Sequence, residues 1–82
     1  MHEIIFDNKT IESLNKLPET IKKRIYKKII ATKEKPLHFF ERLKNRKEYK
    51  LRIGNYRVIA DINHKRIAVL LIGHRKNIYK KK

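Results

Sequence analysis

The chain has 82 residues, enough for one small domain, with 23 lysines and arginines against 8 acidic residues and a net charge of +15. Such a field attracts nucleic acid, an anionic membrane surface or an acidic protein. The absence of cysteine excludes disulfides, thiolate nucleophiles and cysteine-based zinc sites, and with neither a bilayer-length apolar segment nor a signal-peptide pattern a cytoplasmic protein is expected.

Taken in order, His2 to Phe6 is a short apolar run and reads as a strand. Asp7 or Asn8 then supplies an N-cap. Ile11, Leu14 and Leu17 recur every three residues, which predicts one helical stripe. Pro18 ends that helix and suits the first turn of the next. The second helix is predicted from Pro18 to Thr32, with Ile21, Ile25 and Ile29 turned toward a sheet. Lys22, Lys23, Lys27 and Lys28 lie off that stripe and read as a solvated face. Lys33 to Pro36 is a polar break. Leu37, Phe39, Phe40 and Leu43 form a short apolar patch expected to close the edge of a small core. Lys44 to Lys47 is a basic loop.

From Tyr49 onward three apolar runs are separated by two turn signals, Gly54-Asn55 and Asn63-His64-Lys65. They predict a three-stranded antiparallel meander of Tyr49 to Ile53, Tyr56 to Ile62 and Arg66 to Gly73. The last of these is apolar at nearly every position, which predicts an interior strand with helices on one face. The first strand pairs with a free edge that the sequence does not identify. The expected fold class is α+β: two N-terminal helices packed on a mostly antiparallel sheet of about four strands, in one domain over residues 1–82. No repeat or linker interrupts it.

A two-residue turn at Gly54-Asn55 pairs Ile53 with Tyr56, sets Arg52 opposite Arg57, and sets Lys50 opposite Ile59. Lys50, Arg52 and Arg57 then share one face. Opposed like charges destabilise a sheet unless they splay into solvent or something negative lies between them. The functional alternative to a solvated face is a cradle for an anion such as phosphate. Lys44, Arg46 and Lys47 in the loop, with His74 and Lys76 after the last strand, are candidate RNA contacts.

Metal-dependent hydrolysis is not expected, because the segment from Lys50 to the C-terminus has one carboxylate, Asp61, and the four histidines lack ligand spacing. No cofactor is expected either. RNA carries its own nucleophile, the 2′-hydroxyl, which can attack the adjacent phosphate if the protein orients the strand and stabilises charge. Lys50, crowded by Arg52 and Arg57, is a candidate to take the proton. His74 is another, against the alternative of a histidine bonded to backbone at a strand end. Tyr79 can stack on a base, bond a phosphate, or lie as a hydrophobic lid.

Y-K-L-R-I-G-N-Y-R-V-I followed by I-G-H-R-K-N-I-Y resembles the RelE toxins of the RelE/ParE superfamily, and the element order matches over essentially the whole chain. The resemblance implies metal-independent cleavage of mRNA in the ribosomal A site through the RNA 2′-hydroxyl, and an acidic RelB-type antitoxin in a hetero-oligomer. It implies that of Lys50 and Arg52 one is the general base and the other stabilises charge. Arg57 holds the scissile phosphate, Arg75 stabilises the transition state or serves the leaving group, and Tyr79 stacks on the substrate. Two departures stand out. Arg52 replaces a lysine, and arginine is a poor base; the chain also leaves no room after Tyr79 for a full further helix. The other readings are a ParE-like gyrase inhibitor and a basic RNA-binding module. Register offers a check: if Asn63-His64-Lys65 is a three-residue loop, Ile62 pairs with Arg66 and Arg75 shares the face of Arg57. A two-residue loop puts His74 there instead, so the family reading needs the longer loop or a bulge.

Overall fold

A computed structural model describes residues 1–78. The order is β1 (Glu3–Phe6), α1 (Asn8–Asn15), α2 (Glu19–Ala31), α3 (Pro36–Phe39), β2 (Glu41–Arg42), β3 (Tyr49–Ile53), β4 (Tyr56–Ile62) and β5 (Arg66–His74). The five strands form one sheet in the order β1-β5-β4-β3-β2. β1 runs parallel to β5, and every other pair is antiparallel. The fold is thus the expected α+β arrangement, with a two-residue fifth strand, β2, too short to carry a sequence pattern. β5 is interior, between β1 and β4, and β1 occupies the edge that the sequence left open.

The helices form where their ends are specified. Asp7 caps α1, its side chain accepting from the Thr10 amide. Pro18 stands at the N-cap of α2 and Thr32 at its C-cap. Ile25 and Ile29 are fully buried and Ile21 packs beside them. On α1 the buried stripe is Thr10 and Leu14, while Ile11 is 42% exposed. Of the expected stripe Leu14 is buried and Leu17 packs against the core, and only Ile11 is corrected, for a geometric reason. At about 100° per residue, a three-residue repeat drifts around the helix, whereas Thr10 and Leu14, four apart, stay on one side. Of the apolar patch after α2, Phe40 is buried, but Leu37 and Phe39 are exposed.

One sheet face meets the helices. Leu51, Ile53, Val58, Ala60, Ile67, Val69 and Ile72 pack there with Leu14, Ile25 and Ile29. The side chains between them along each strand point to the opposite face, by the period-two alternation of strands. Ile59 and Ile78 are buried but stand outside this core. Ile78 lies against Gly73, so the chain after β5 folds back over part of that second face.

Candidate nucleic-acid interface

The β3–β4 hairpin builds the centre of the interface. Gly54 has φ +58°, and Asn55 is not in the positive-φ region. Glycine at the first central position is the pattern of a type II′ turn, whose twist matches the flanking strands. The register follows as expected: Ile53 opposite Tyr56, Arg52 opposite Arg57, Lys50 opposite Ile59. Leu51 and Val58 point into the core, so Lys50, Arg52 and Arg57 stand on the face turned away from the helices.

Arg57 is half-buried and its Nη1 donates to the carbonyls of Gly54 (3.0 Å) and Tyr56 (2.9 Å). Those bonds use both hydrogens of Nη1 and fix the guanidinium plane. Nε and Nη2 keep three N–H donors for an anion. Lys50 is also half-buried, with Nζ 3.7 Å from Glu41 Oε1. Glu41 sits directly opposite Lys50 on β2. This counter-charge was absent from the sequence reading because a two-residue strand leaves no periodic signal.

Arg52 is exposed. It borders an open depression of about 400 Å³ with Arg24, Lys27, Lys28 and the Gly54 turn, and no acidic residue lines it. Arg24, Lys27, Lys28 and Ala31 fall at i, i+3, i+4 and i+7, one stripe of α2. Arg24 went unnoticed in the sequence, although that spacing is its signal. Its guanidinium also covers the hairpin turn, since a Cβ on Gly54 would meet Nη1 at 3.3 Å.

Arg75 depends on how β4 and β5 are paired. Ile62 pairs with Ile67, not Arg66, which is the register of a two-residue loop, His64-Lys65, and not of the three-residue one. Asn63 Oδ1 accepts from the amides of Lys65 (2.8 Å) and Arg66 (2.7 Å), and the Asn63 amide donates to the Arg66 carbonyl (3.0 Å). That start alone would send Arg75 to the helix side. The register then shifts between Ile59 and Ala60: Ala60 faces Val69 and Ile59 faces Leu71, leaving Leu70 as one extra residue on β5. Beyond this bulge Arg57 faces Gly73, and the Arg75 amide donates to the Asn55 carbonyl at 2.8 Å. Arg75 therefore continues the alternation of Gly73 and Arg57.

His74 falls on the other alternation, opposite Tyr56. Its ring meets Tyr56 edge to face at 5.5 Å, and Nδ1 accepts from the Lys76 amide at 3.2 Å. It is not brought together with Arg57. Lys76 is exposed in the turn after β5, and Lys44, Arg46 and Lys47 are exposed in the loop before β3. Arg46 and Lys47 border an open depression of about 600 Å³ with Arg42 and Asn45. Arg42 Nε donates to the Arg46 carbonyl at 3.1 Å and its guanidinium lies 5.9 Å from the Tyr49 ring. Tyr79 lies outside the described residues.

Three histidines that are distant in sequence, His2, His38 and His64, border one apolar depression of about 530 Å³ at the other end of the sheet. His2 Nε2 is 2.8 Å from the Asn63 carbonyl oxygen. Among the described residues no three histidine or acidic side chains are grouped as a metal site requires. Among them, too, no helix is long and apolar enough to cross a membrane.

Comparison with known proteins agrees with this architecture. Residues 4–79 match the family described as ParE toxin of the type II toxin–antitoxin system, parDE. No curated protein matches the chain in sequence. Among solved structures, the toxin–antitoxin complex RelBE2 from Mycobacterium tuberculosis is similar with a TM-score of 0.79 and 23% identity, over 90% of this chain and 98% of that one. The RelB–RelE antitoxin–toxin complex from Methanococcus jannaschii is similar with a TM-score of 0.75 and 27% identity, over 94% and 96%. The archaeal RelE–RelB complex from Pyrococcus horikoshii gives 0.77 and 23%, over 90% and 94%.

Proposed function

The chain belongs to the ParE toxin family of type II toxin–antitoxin systems, within the RelE/ParE superfamily, and from that premise we propose that it is a RelE-type endoribonuclease acting on mRNA in the ribosomal A site. The observation that supports this reading is the basic face itself. A glycine turn and a bulge bring Lys50, Arg52, Arg57 and Arg75 onto one alternation of the sheet, on the side free of helices.

In the reaction the 2′-oxygen attacks the adjacent phosphorus and the P–O5′ bond breaks. The products are a 2′,3′-cyclic phosphate and a 5′-hydroxyl. Arg57, its plane fixed by the hairpin carbonyls, offers its free donors to the non-bridging oxygens of the phosphate. Negative charge grows there in the transition state, and preorganised donors act on that growth without reorganisation. Arg75 stabilises the transition state or the leaving oxygen. Lys50 takes the 2′ proton, since Arg52 stays protonated and serves by charge. Glu41 must give way for Lys50 to reach the 2′-hydroxyl, because its carboxylate oxygen holds the lysine nitrogen at 3.7 Å. Tyr79 stacks on the substrate. Lys44, Arg46, Lys47 and Lys76 contribute RNA contacts around this centre, and His74, turned to Tyr56 on the other alternation, does not.

The three similar solved structures named above are complexes of a toxin with its antitoxin. With a net charge of +15, this toxin is expected to be held by an acidic RelB-type antitoxin in a hetero-oligomer. The name of the matched family favours a second reading, inhibition of DNA gyrase through protein contact.

Primer extension on programmed ribosomes tests the choice, using wild type, Lys50→Ala and Arg75→Ala. Discrete A-site cuts by wild type, lost in both variants while ribosome binding persists, are expected. Absence of cuts on intact ribosomes, together with inhibition of supercoiling by gyrase, would replace the nuclease reading with the second one.

A further inference from the structure

The bulge that brings Arg75 round to Arg57 is not dictated by hydrophobic patterning. Every residue of β5 from Ile67 to Ile72 is apolar, and β4 offers apolar residues to both faces there, Val58 and Ala60 on one and Ile59 on the other. A strand that is apolar on both faces specifies its register weakly. If the pairing that begins at Ile62 and Ile67 simply continued, Ile59 would face Leu70, Val58 would face Leu71, and Arg57 would face Ile72. Leu71 would then replace Ile72 in the core. His74 would join the alternation of Arg57, and Arg75 would turn toward the helices. Something other than apolar burial must select the bulge.

A polar group from α1 sits on it. Thr10 is 2% exposed, one of two buried polar residues among those described. Its hydroxyl lies 3.1 Å from the Val69 carbonyl and 3.4 Å from the Leu70 carbonyl, the two residues at which the ladder shifts. Asp7 Oδ1 holds the same residue from the other side, accepting from the Thr10 amide and from its hydroxyl, both at 2.7 Å. The single hydroxyl proton goes chiefly to the carboxylate at 2.7 Å, with the Val69 and Leu70 carbonyls as longer acceptors at 3.1 and 3.4 Å. Val69 faces Ala60 in either register and Asp7 is on another element, so the acceptor that distinguishes the two registers for this buried hydroxyl is the Leu70 carbonyl at 3.4 Å. The Thr10 hydrogen bonds lower the Asp7 carboxyl from its ordinary value.

We propose that the Thr10 hydroxyl, anchored by Asp7, is a positioning group that fixes the bulge at Leu70 and so sets Arg75, instead of His74, on the face of Arg57. Its consequence for cleavage rests on the nuclease reading; its consequence for register does not.

The test compares Thr10→Val, which keeps the shape and removes the hydroxyl, with Thr10→Ser, which keeps it. Cross-strand NOEs read the pairing directly: Ile59 with Leu71 in the bulged register, Ile59 with Leu70 in the slipped one. Wild type and Thr10→Ser are expected to show the first set alone. Thr10→Val is expected to show the second set, and to lose about a hundredfold in kcat on programmed ribosomes with ribosome affinity retained. A single bulged register in Thr10→Val would overturn the proposal, however far its Tm falls. So would loss of the bulged register in Thr10→Ser, or a register shift that leaves kcat unchanged. Should Thr10→Val not fold, Thr10→Ala is examined in the same way, and failure of both to fold overturns a role limited to register. A wild type that cleaves nothing, with the register still responding to Thr10→Val, refutes the nuclease reading and leaves the register device standing.

Discussion

Arg57→Lys separates charge from geometry at the centre of the basic face. Lysine keeps the cation but not the planar fork. In the hairpin Arg57 Nη1 bonds two carbonyls at 2.9 and 3.0 Å, which leaves the donors of Nε and Nη2 for an anion. An ammonium that reaches the same carbonyls spends its donors there, and one that reaches the phosphate abandons the turn. The structural cost is small, because one of the two bonds is exposed and the other partly buried. About 1 kcal/mol is expected, or a fall in Tm of about 4–8 °C for a domain of this size. The catalytic cost is larger. Losing a preorganised donor to a developing oxyanion typically costs about 10²–10³ in kcat, or about 2.7–4 kcal/mol. Activity should therefore fall much further than stability. The assay pairs single-turnover cleavage on saturated ribosomes with thermal unfolding followed by circular dichroism. A variant that cleaves within about threefold of wild type would refute the claim that the guanidinium plane matters, and would leave Arg57 as a diffuse charge.

Gly54→Ala should destabilise the hairpin by about 1–2 kcal/mol, because φ is +58° and the new Cβ meets the Arg24 guanidinium at 3.3 Å; chemical denaturation measures it, and an unchanged midpoint would contradict the turn assignment. Glu41→Gln should change stability by less than about 1 kcal/mol, since the Lys50 pair is partly exposed. It should nevertheless strengthen binding to a single-stranded RNA about twofold or more by freeing Lys50 for phosphate, as fluorescence anisotropy at fixed salt would show; weaker binding would assign Glu41 a supporting role. The Asp7 carboxyl is depressed chiefly by its side-chain hydrogen bond with Thr10 and then by the Thr10 amide. A depressed acid stabilises the fold above its unfolded value and loses that contribution as pH falls through the folded value. Acid unfolding of Asp7→Ala should accordingly be shallower in this range than that of wild type, and parallel curves would argue against the cap.

The hairpin was legible in the sequence because a two-residue turn leaves one register, and Gly54-Asn55 names the turn. From that single inference Lys50, Arg52 and Arg57 fell on one face, as they do in the structure. The position of Arg75 was legible only as an alternative between a loop length and a bulge. The loop-length option fails, since Ile62 pairs with Ile67. The bulge was hidden for the same reason that β5 was easy to recognise as interior: a strand apolar at six consecutive positions announces burial and conceals alternation. On α1 the eye follows Ile11, Leu14 and Leu17, yet the residue turned inward is Thr10, polar in sequence and satisfied only by acceptors on β5 and at Asp7. Glu41 was likewise invisible, as its strand is two residues long. These misses have two causes. The bulge and Thr10 depend on a polar group meeting a partner far along the chain, Thr10 and Val69 being 59 residues apart, whereas Glu41 meets Lys50 through a strand too short to show a pattern. Local apolar periodicity specifies which elements form and which face they bury. The hydrogen bonds between elements decide which of two neighbouring residues, His74 or Arg75, reaches the basic face. Selection for function can therefore act on a buried threonine in the first helix, where a reading confined to the basic residues would find only core.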